Sequence, residues 1–293
     1  MSRLDLMARA SELRAKRVPF VLATVLRAEA PTSAKPGDSA VVLADGSIEG
    51  FVGGSCAQAT VRAESLRSLA DRCPRMVLIA PDADAAPAGA GVVRVSNPCL
   101  SGGTLEMFLE PTLPAPLMRV YGTSPIAAAL RAGAAALGFD AGEGVPGERI
   151  AEETAAVVVA THGFDEEVVI AEALRAGVPY IGLVASHRRA EAVLGAMEPG
   201  QGALARVHSP AGLDIGAVSP GEIAVSILAE MISLRPRAEA RRGPEMAVDP
   251  VCHMEVAAVD SSLHSEFEGR TYYFCAKGCL KAFSADPMAF LGG

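Results

Sequence analysis

Cys275 and Cys279, four residues apart around Ala276-Lys277-Gly278, have the spacing of two ligands for one metal ion. The preceding Thr271–Phe274 reads as a strand and the cysteines as the start of a helix, on which residues four apart share a face with Cβ atoms about 6 Å apart. A helix N-terminus lowers a thiol pKa and favours the thiolate, the form that soft and borderline metals bind. Cys252 stands upstream as a third ligand, with Met254 or His264 as the fourth. The competing reading makes these cysteines plain core residues. It is the weaker one, because a unit as small as residues 249–293 buries too little apolar surface to fold without a staple.

Two further places could do chemistry. His162, His187 and His208 each follow a stretch that reads as a strand of a parallel sheet, and open α/β sheets bind ligands at the carboxyl ends of their strands. Arg188 and Arg189 come directly after His187 at a helix start, where unpaired backbone amides and positive charge suit a phosphate. Gly122-Thr123-Ser124-Pro125-Ile126-Ala127 sits where a G-x-G-x-x-G turn would be, but only the first glycine remains and Pro125 lacks a backbone donor. Glu143 lies at the offset of a ribose-binding acid in a poor context for a strand end, so NAD(P) is an unfavoured cofactor. The other place is Gly50-Phe51-Val52-Gly53-Gly54-Ser55-Cys56. Gly53 and Gly54 let backbone approach a ligand and Cys56 opens a helix, the alternative being a buried, unreactive thiol. Cys99 lies in another glycine-rich loop, and Cys73, before Pro74, has no chemical context.

The elements that must hold these residues fall into three blocks. In the first, Ser2 and Asp5 form a capping box ahead of an amphipathic helix over 3–17, ended by Pro19. Phe20–Arg27 and Ala40–Ala44 read as strands, Asp45-Gly46 as a hairpin turn before Ile48, Cys56–Leu69 as a helix, and Met76–Ala80 and Leu105–Leu109 as strands. This is an α+β domain with a mixed or antiparallel sheet, residues 1–113. From Leu117 apolar strands (118–121, 155–160, 180–184, 205–208) alternate with helices (125–137, 166–176, 188–197), which requires crossovers and a parallel sheet. A last helix opens on the capping box Ser219-Pro220-Gly221-Glu222 and runs to Leu234. Residues 114–235 are therefore a Rossmann-like domain. Residues 236–248 read as a linker, and 249–293 as a small metal-binding module.

The chain has 293 residues, half of them hydrophobic, with a net charge of −8. That balance disfavours nucleic acid and anionic membranes as partners, since both attract basic surfaces. Asp5 and Glu12 interrupt the N-terminal segment where a signal peptide would be apolar, and no run approaches the roughly 18 apolar residues of a membrane span. A cytoplasmic location with six reduced cysteines is expected, which favours metal ligation over disulfides.

Residues 249–293 resemble the YHS domain family, through Asp249-Pro250-Val251-Cys252-His253-Met254, His264, and Gly269 to Cys279 followed by Phe283. The resemblance implies copper or zinc held by Cys252, Cys275 and Cys279; His253 departs from the glycine often found at its position. Residues 18–234 resemble the XdhC/CoxI family of xanthine and carbon monoxide dehydrogenase accessory proteins. The matching stretches are PTSAKPGDSAVVLADG (31–46), GFVGGSCAQ (50–58), SGGTLEMFLEP (101–111), VVVATHGFDEEVV (157–169), YIGLVASHRR (180–189) and SPAGLDIGAVSPGEIAVSILAEM (209–231). Gln58 departs from the acidic residue many members carry.

This second resemblance implies a chaperone, not necessarily an enzyme, that binds molybdenum cofactor and supports its sulfuration. Its partners would be an apo-molybdenum hydroxylase, a cysteine desulfurase and a second copy in a homodimer. Cys56 is expected to contact the molybdenum or its dithiolene, while His187, Arg188 and loop amides hold the phosphate. Gly53, Gly54, Gly122, Ser124, His162, Ser186, His208 and Asp214 complete the candidate cofactor set. The YHS module would supply or sense copper for a molybdenum–copper client. An NAD(P)-dependent oxidoreductase and a metal sensor are the competing readings.

Overall fold

The capping box at Ser2 and Asp5 forms as its spacing predicts. Asp5 N–H donates to Ser2 Oγ (3.2 Å) and Ser2 N–H to the Asp5 carboxylate (2.9 Å), starting helix α1 (Arg3–Ala15). The computed structural model describes residues 2–81, 91–96, 103–161, 163–197, 203–234 and 243–291. Cys99 and His162 lie outside them. Two compact units result, one made of Met1–Pro114 with Ala238–Gly293, the other of Ala115–Arg237.

In the first unit, β1 (Phe20–Glu29), β2 (Ser39–Leu43), β3 (Ile48–Gly50), β4 (Arg75–Ala80), β5 (Val92–Ser96) and β6 (Thr104–Thr112) form a mixed sheet of order β3-β2-β1-β6-β4-β5. Every pairing is antiparallel except β4 with β5. The Asp45-Gly46 turn joins β2 to β3, Gly46 taking φ +81. Helix α2 (Ser55–Asp71) is covered on both sides. Ala57 and Val61 pack into the sheet core with Val21, Val77 and Met107. On the opposite side Ala59, Ala63 and Leu66 pack against Met254, Val256 and Ala257 of the carboxy-terminal segment. Alanines on that side let a second layer approach closely.

This layer consists of β12 (Met246–Val248) paired with β13 (Glu255–Ala257), the hairpin β14 (Leu263–Phe267)–β15 (Arg270–Phe274), and helices α7 (Lys277–Ala285) and α8 (Met288–Leu291). Phe283 of α7 anchors it, its ring 5.2 Å from that of Phe274 and 5.0 Å from that of Tyr272. β12 falls in the stretch that the sequence reads as linker. Its three residues carry no periodicity of their own and become a strand only by pairing with β13. The tail packs on the first domain instead of standing apart from it.

The second unit is a parallel sheet of order β11-β10-β9-β7-β8, made of β7 (Leu117–Tyr121), β8 (Asp140–Gly144), β9 (Thr154–Val159), β10 (Tyr180–Leu183) and β11 (Val207–His208). α3 (Pro125–Ala136) and α6 (Pro220–Ser233) contribute to the apolar cluster on one face, α4 (Glu166–Arg175) and α5 (His187–Gly195) to that on the other. From β7 the chain runs outward to β8 and then returns to β9 on the other side of β7. The β7/β9 boundary is thus the topological switch point, the usual ligand crevice of such sheets.

Gly122 sits at that point with φ +109, and a Cβ there would lie 2.4 Å from the Ala160 carbonyl oxygen. Gly122→Ala combines left-handed strain with a backbone clash that no rotamer relieves. The expected cost is on the order of 2–4 kcal/mol, read as a lower denaturant midpoint.

Candidate functional site

Three sulfurs from two segments of the tail meet beneath the start of α7. Cys275 ends the loop after β15, one residue before the N-cap Ala276, and Cys279 is the third residue of α7. Cys252 comes from the turn between β12 and β13. Cys275 Sγ lies 3.4 Å from Cys252 Sγ and 3.8 Å from Cys279 Sγ. Around a tetrahedral ion with metal–sulfur bonds of about 2.3 Å, neighbouring sulfurs lie about 3.8 Å apart, so this spacing fits a thiolate-bound metal. Cys275 is buried and the other two half-buried, among Met254, Val256 and Tyr273.

Asp249 is the member of this group that sequence reasoning missed. One of its carboxylate oxygens lies within 4.8 Å of the three sulfurs. The side chain is fully buried and accepts the N–H of Cys275 (2.8 Å) on one oxygen and that of Val251 (2.9 Å) on the other. It therefore orders the turn that carries Cys252 and fixes Cys275 on the opposite side. His253 in this turn takes φ +62, a left-handed conformation that explains the glycine often found at this position.

His264 does not join the sulfurs, contrary to its candidacy as a ligand. It is exposed on β14, with Nδ1 2.8 Å from the Ser262 carbonyl oxygen and its ring tilted against Tyr273. The expectation of lowered thiol pKa values also fails. Burial pushes Cys252 up and Cys279 up to about 12. Cys275 is raised most, by the adjacent Cys56 thiol, by burial and by Cys252. Crowded, dehydrated sulfurs keep their protons until a cation replaces them.

Cys56 is the second surprise. It is the second residue of α2, behind the loop in which Gly53 takes φ +122 and Gly54 is the N-cap, and its sulfur lies 4.0 Å from that of Cys275. The glycine-rich loop thus delivers Cys56 to Cys275 of the tail. Gln58 closes the loop, its amide donating to the Gly53 carbonyl (3.3 Å).

In the second unit the switch point gathers Gly122, Ser124 and Thr161. The Ser124 hydroxyl is used as the N-cap of α3, accepting from Ala127 N–H (3.2 Å). Thr161 Oγ1, just after β9, is buried and has no hydrogen-bond partner among the described residues. Ser186 caps α5 in the same way, leaving His187 and Arg188 exposed in its first turn. Arg189 is committed to buried Glu166 (3.0 Å). His208 stacks on Tyr180, ring centroids 4.9 Å apart. Asp214 is exposed in the loop before α6, and Glu143 is exposed near the end of β8, a true strand.

Family models match three stretches of the chain: the XdhC and CoxI family over residues 13–79, the XdhC Rossmann domain over 118–231 and the YHS domain over 247–293. The chain belongs to the XdhC/CoxI family, with a YHS domain at its carboxyl end. Among relatives of this XdhC/CoxI protein, Escherichia coli YqeB, itself uncharacterized, is 28% identical over 263 residues, spanning 79% of this chain and 46% of YqeB. A Bacillus subtilis protein, named as a probable subunit of xanthine dehydrogenase, is 41% identical over 83 residues, 28% of this chain and 24% of that protein. The match thus spans less than half the length of either relative. A crystal structure of a xanthine dehydrogenase from Bacillus halodurans covers 82% of this chain and 98% of its own, with 20% identity and a TM-score of 0.39. No helix among the described residues is long and apolar enough to cross a membrane.

Proposed function

We propose that this XdhC/CoxI-family chain is a maturation factor. It holds molybdenum cofactor during sulfuration and hands it to an apo-molybdenum hydroxylase of the xanthine or carbon monoxide dehydrogenase type. The observation that carries this reading is the topological switch point of the Rossmann unit. A buried hydroxyl, Thr161 Oγ1, stands there without a partner among the described residues, beside the close backbone approach at Gly122. Buried polar groups are nearly always satisfied, so a water or a bound group can supply the missing partner of this hydroxyl.

The cofactor, once bound, supplies the molybdenum chemistry of the client. The chain's own residues bind and orient it. The first-turn amides of α5, with His187 and Arg188 beside them, suit its phosphate, because a helix N-terminus presents unpaired N–H groups and partial positive charge. Arg188 takes this role and not Arg189, whose guanidinium is neutralised by Glu166. Sequestration in a crevice protects an oxidisable cofactor, and its sulfur would come from a cysteine desulfurase. In the YHS domain, Cys252, Cys275 and Cys279 hold copper or zinc.

Purified from a host that makes the cofactor, the protein should carry molybdopterin, detected as its fluorescent oxidation product. Arg188→Ala should weaken binding roughly tenfold, the scale of one charge-assisted phosphate contact. A protein that retains no molybdopterin and gains none on titration refutes the proposal. Glu143 near the end of β8, where dinucleotide folds place a ribose-binding acid, favours a nucleotide as the second reading. Saturable NADH binding that Glu143→Ala abolishes, with no molybdopterin retained, would select it.

A further inference from the structure

We infer that Cys56 of the XdhC/CoxI domain is the fourth thiolate of the YHS metal centre. One tetrahedral ion, Zn²⁺ or Cu⁺, is then held by sulfurs from segments 219 residues apart. The inference rests on the reading of the tail cysteines as metal ligands and adds the ligand that closes the site.

Three tail thiolates leave a tetrahedral ion one ligand short, and the structure narrows what can complete it. His264 is exposed and engaged with the Ser262 carbonyl. Asp249 is already employed as an anchor, each oxygen accepting a backbone N–H of the turns that carry Cys252 and Cys275, which suits it to positioning the ligands. Cys56 Sγ is 4.0 Å from Cys275 Sγ, near the tetrahedral edge of about 3.8 Å, and lies just outside the tight group of Asp249, Cys252, Cys275 and Cys279, so ligation draws it in toward the other two sulfurs. Its position is also well fixed. Gly53 packs so closely that a Cβ would meet Ala57 at 3.2 Å and Leu105 at 3.3 Å, which seats the start of α2 firmly on the sheet. Ala59, one turn along, lies in the same apolar cluster as Met254, Val256 and all four cysteines.

The helix starts converge on the same set. Cys56 lies in the first turn of α2, Cys279 in the first turn of α7, and Cys275 just before the N-cap of α7. Two helix N-termini thus meet the cluster. Each sulfur that binds the ion releases its proton to solvent. Four protein ligands make a closed site with no open position for a substrate, which assigns it to holding rather than to chemistry. Its effect is a latch: the ion clamps the YHS layer to α2 and occupies the thiol that the glycine-rich loop would otherwise present.

The test uses the full chain stripped of metal and titrated with Co²⁺, whose sulfur-to-metal charge-transfer absorption scales with the number of thiolates. Cys56→Ser should lower that absorption to about three-quarters of the wild-type value and weaken Zn²⁺ binding at least tenfold, while Cys73→Ser changes neither. In the wild-type chain, iodoacetamide should label exposed Cys73 at the same rate with and without metal, and Cys56 only without it. That comparison needs no variant to fold. Wild-type absorption and affinity in Cys56→Ser, or metal-independent labelling of Cys56, overturns the inference alone. Failure of the wild-type chain to take up Co²⁺, Zn²⁺ or Cu⁺ overturns the metal reading as well.

Discussion

Cys275→Ser is expected to lower zinc affinity by roughly a thousandfold or more, well beyond the 10–100-fold that loss of a residue outside the ligand set costs. Cys275 is the hub of the cluster, within 3.4 Å of Cys252, 3.8 Å of Cys279 and 4.0 Å of Cys56. It is also the buried member, so a serine there offers a poor ligand in a place that water does not easily fill. The wild-type affinity should depend on pH in a definite direction. Cys279 is pushed up to about 12, and Cys252 and Cys275 are raised too, so near neutral pH the metal must displace protons. Affinity then rises with pH by about one log unit per pH unit for every proton displaced, and falls on acidification. Competition with a chromophoric chelator at several pH values measures both effects. An affinity independent of pH would rule out thiolates as the donors.

The sequence made the local rules legible: the capping boxes at Ser2 and Ser219, the Asp45-Gly46 hairpin, and the apolar strands alternating with helices from Leu117 onward. Each depends on residues within a turn or two of one another. β8 was hidden because Gly142 and Gly144 break the apolar run. Gly144 is in fact required where the Tyr121 ring lies against its backbone, a Cβ there coming within 2.4 Å of the ring. β5 lacks alternation, and β12 exists only through its partner. At the site, the three tail cysteines could be read from their spacing and family likeness. Their meeting with Cys56 could not, because a contact across 219 residues is set by packing. One signal was available. α2 carries Ala, Ser, Thr and Val on more than one face, the pattern of a helix covered on both sides. For His208 the strand-end position was not enough, because being near a strand end says nothing of side-chain direction and its ring stacks on Tyr180.

Asp249→Ala should be the most damaging change outside the sulfurs. The carboxylate is fully buried and is the acceptor for two backbone N–H groups, of Val251 and Cys275. Alanine leaves both donors unpaired at about 1–3 kcal/mol each, or about 2–6 kcal/mol together. Zinc affinity should fall roughly 10–100-fold because Cys275 and the Cys252 turn lose their common anchor. Asp249→Asn separates positioning from ligation. Its amide oxygen can satisfy one of the two N–H groups, while burial, the main cause of the raised Cys279 and Cys252 thiols, stays and only the lesser repulsion from the carboxylate is removed. As a positioning residue, Asp249 predicts that Asn retains more metal and more stability than Ala. Equal loss of metal in the two variants at unchanged stability would instead make the carboxylate a ligand and return Cys56 to the cofactor role that its glycine-rich loop first suggested.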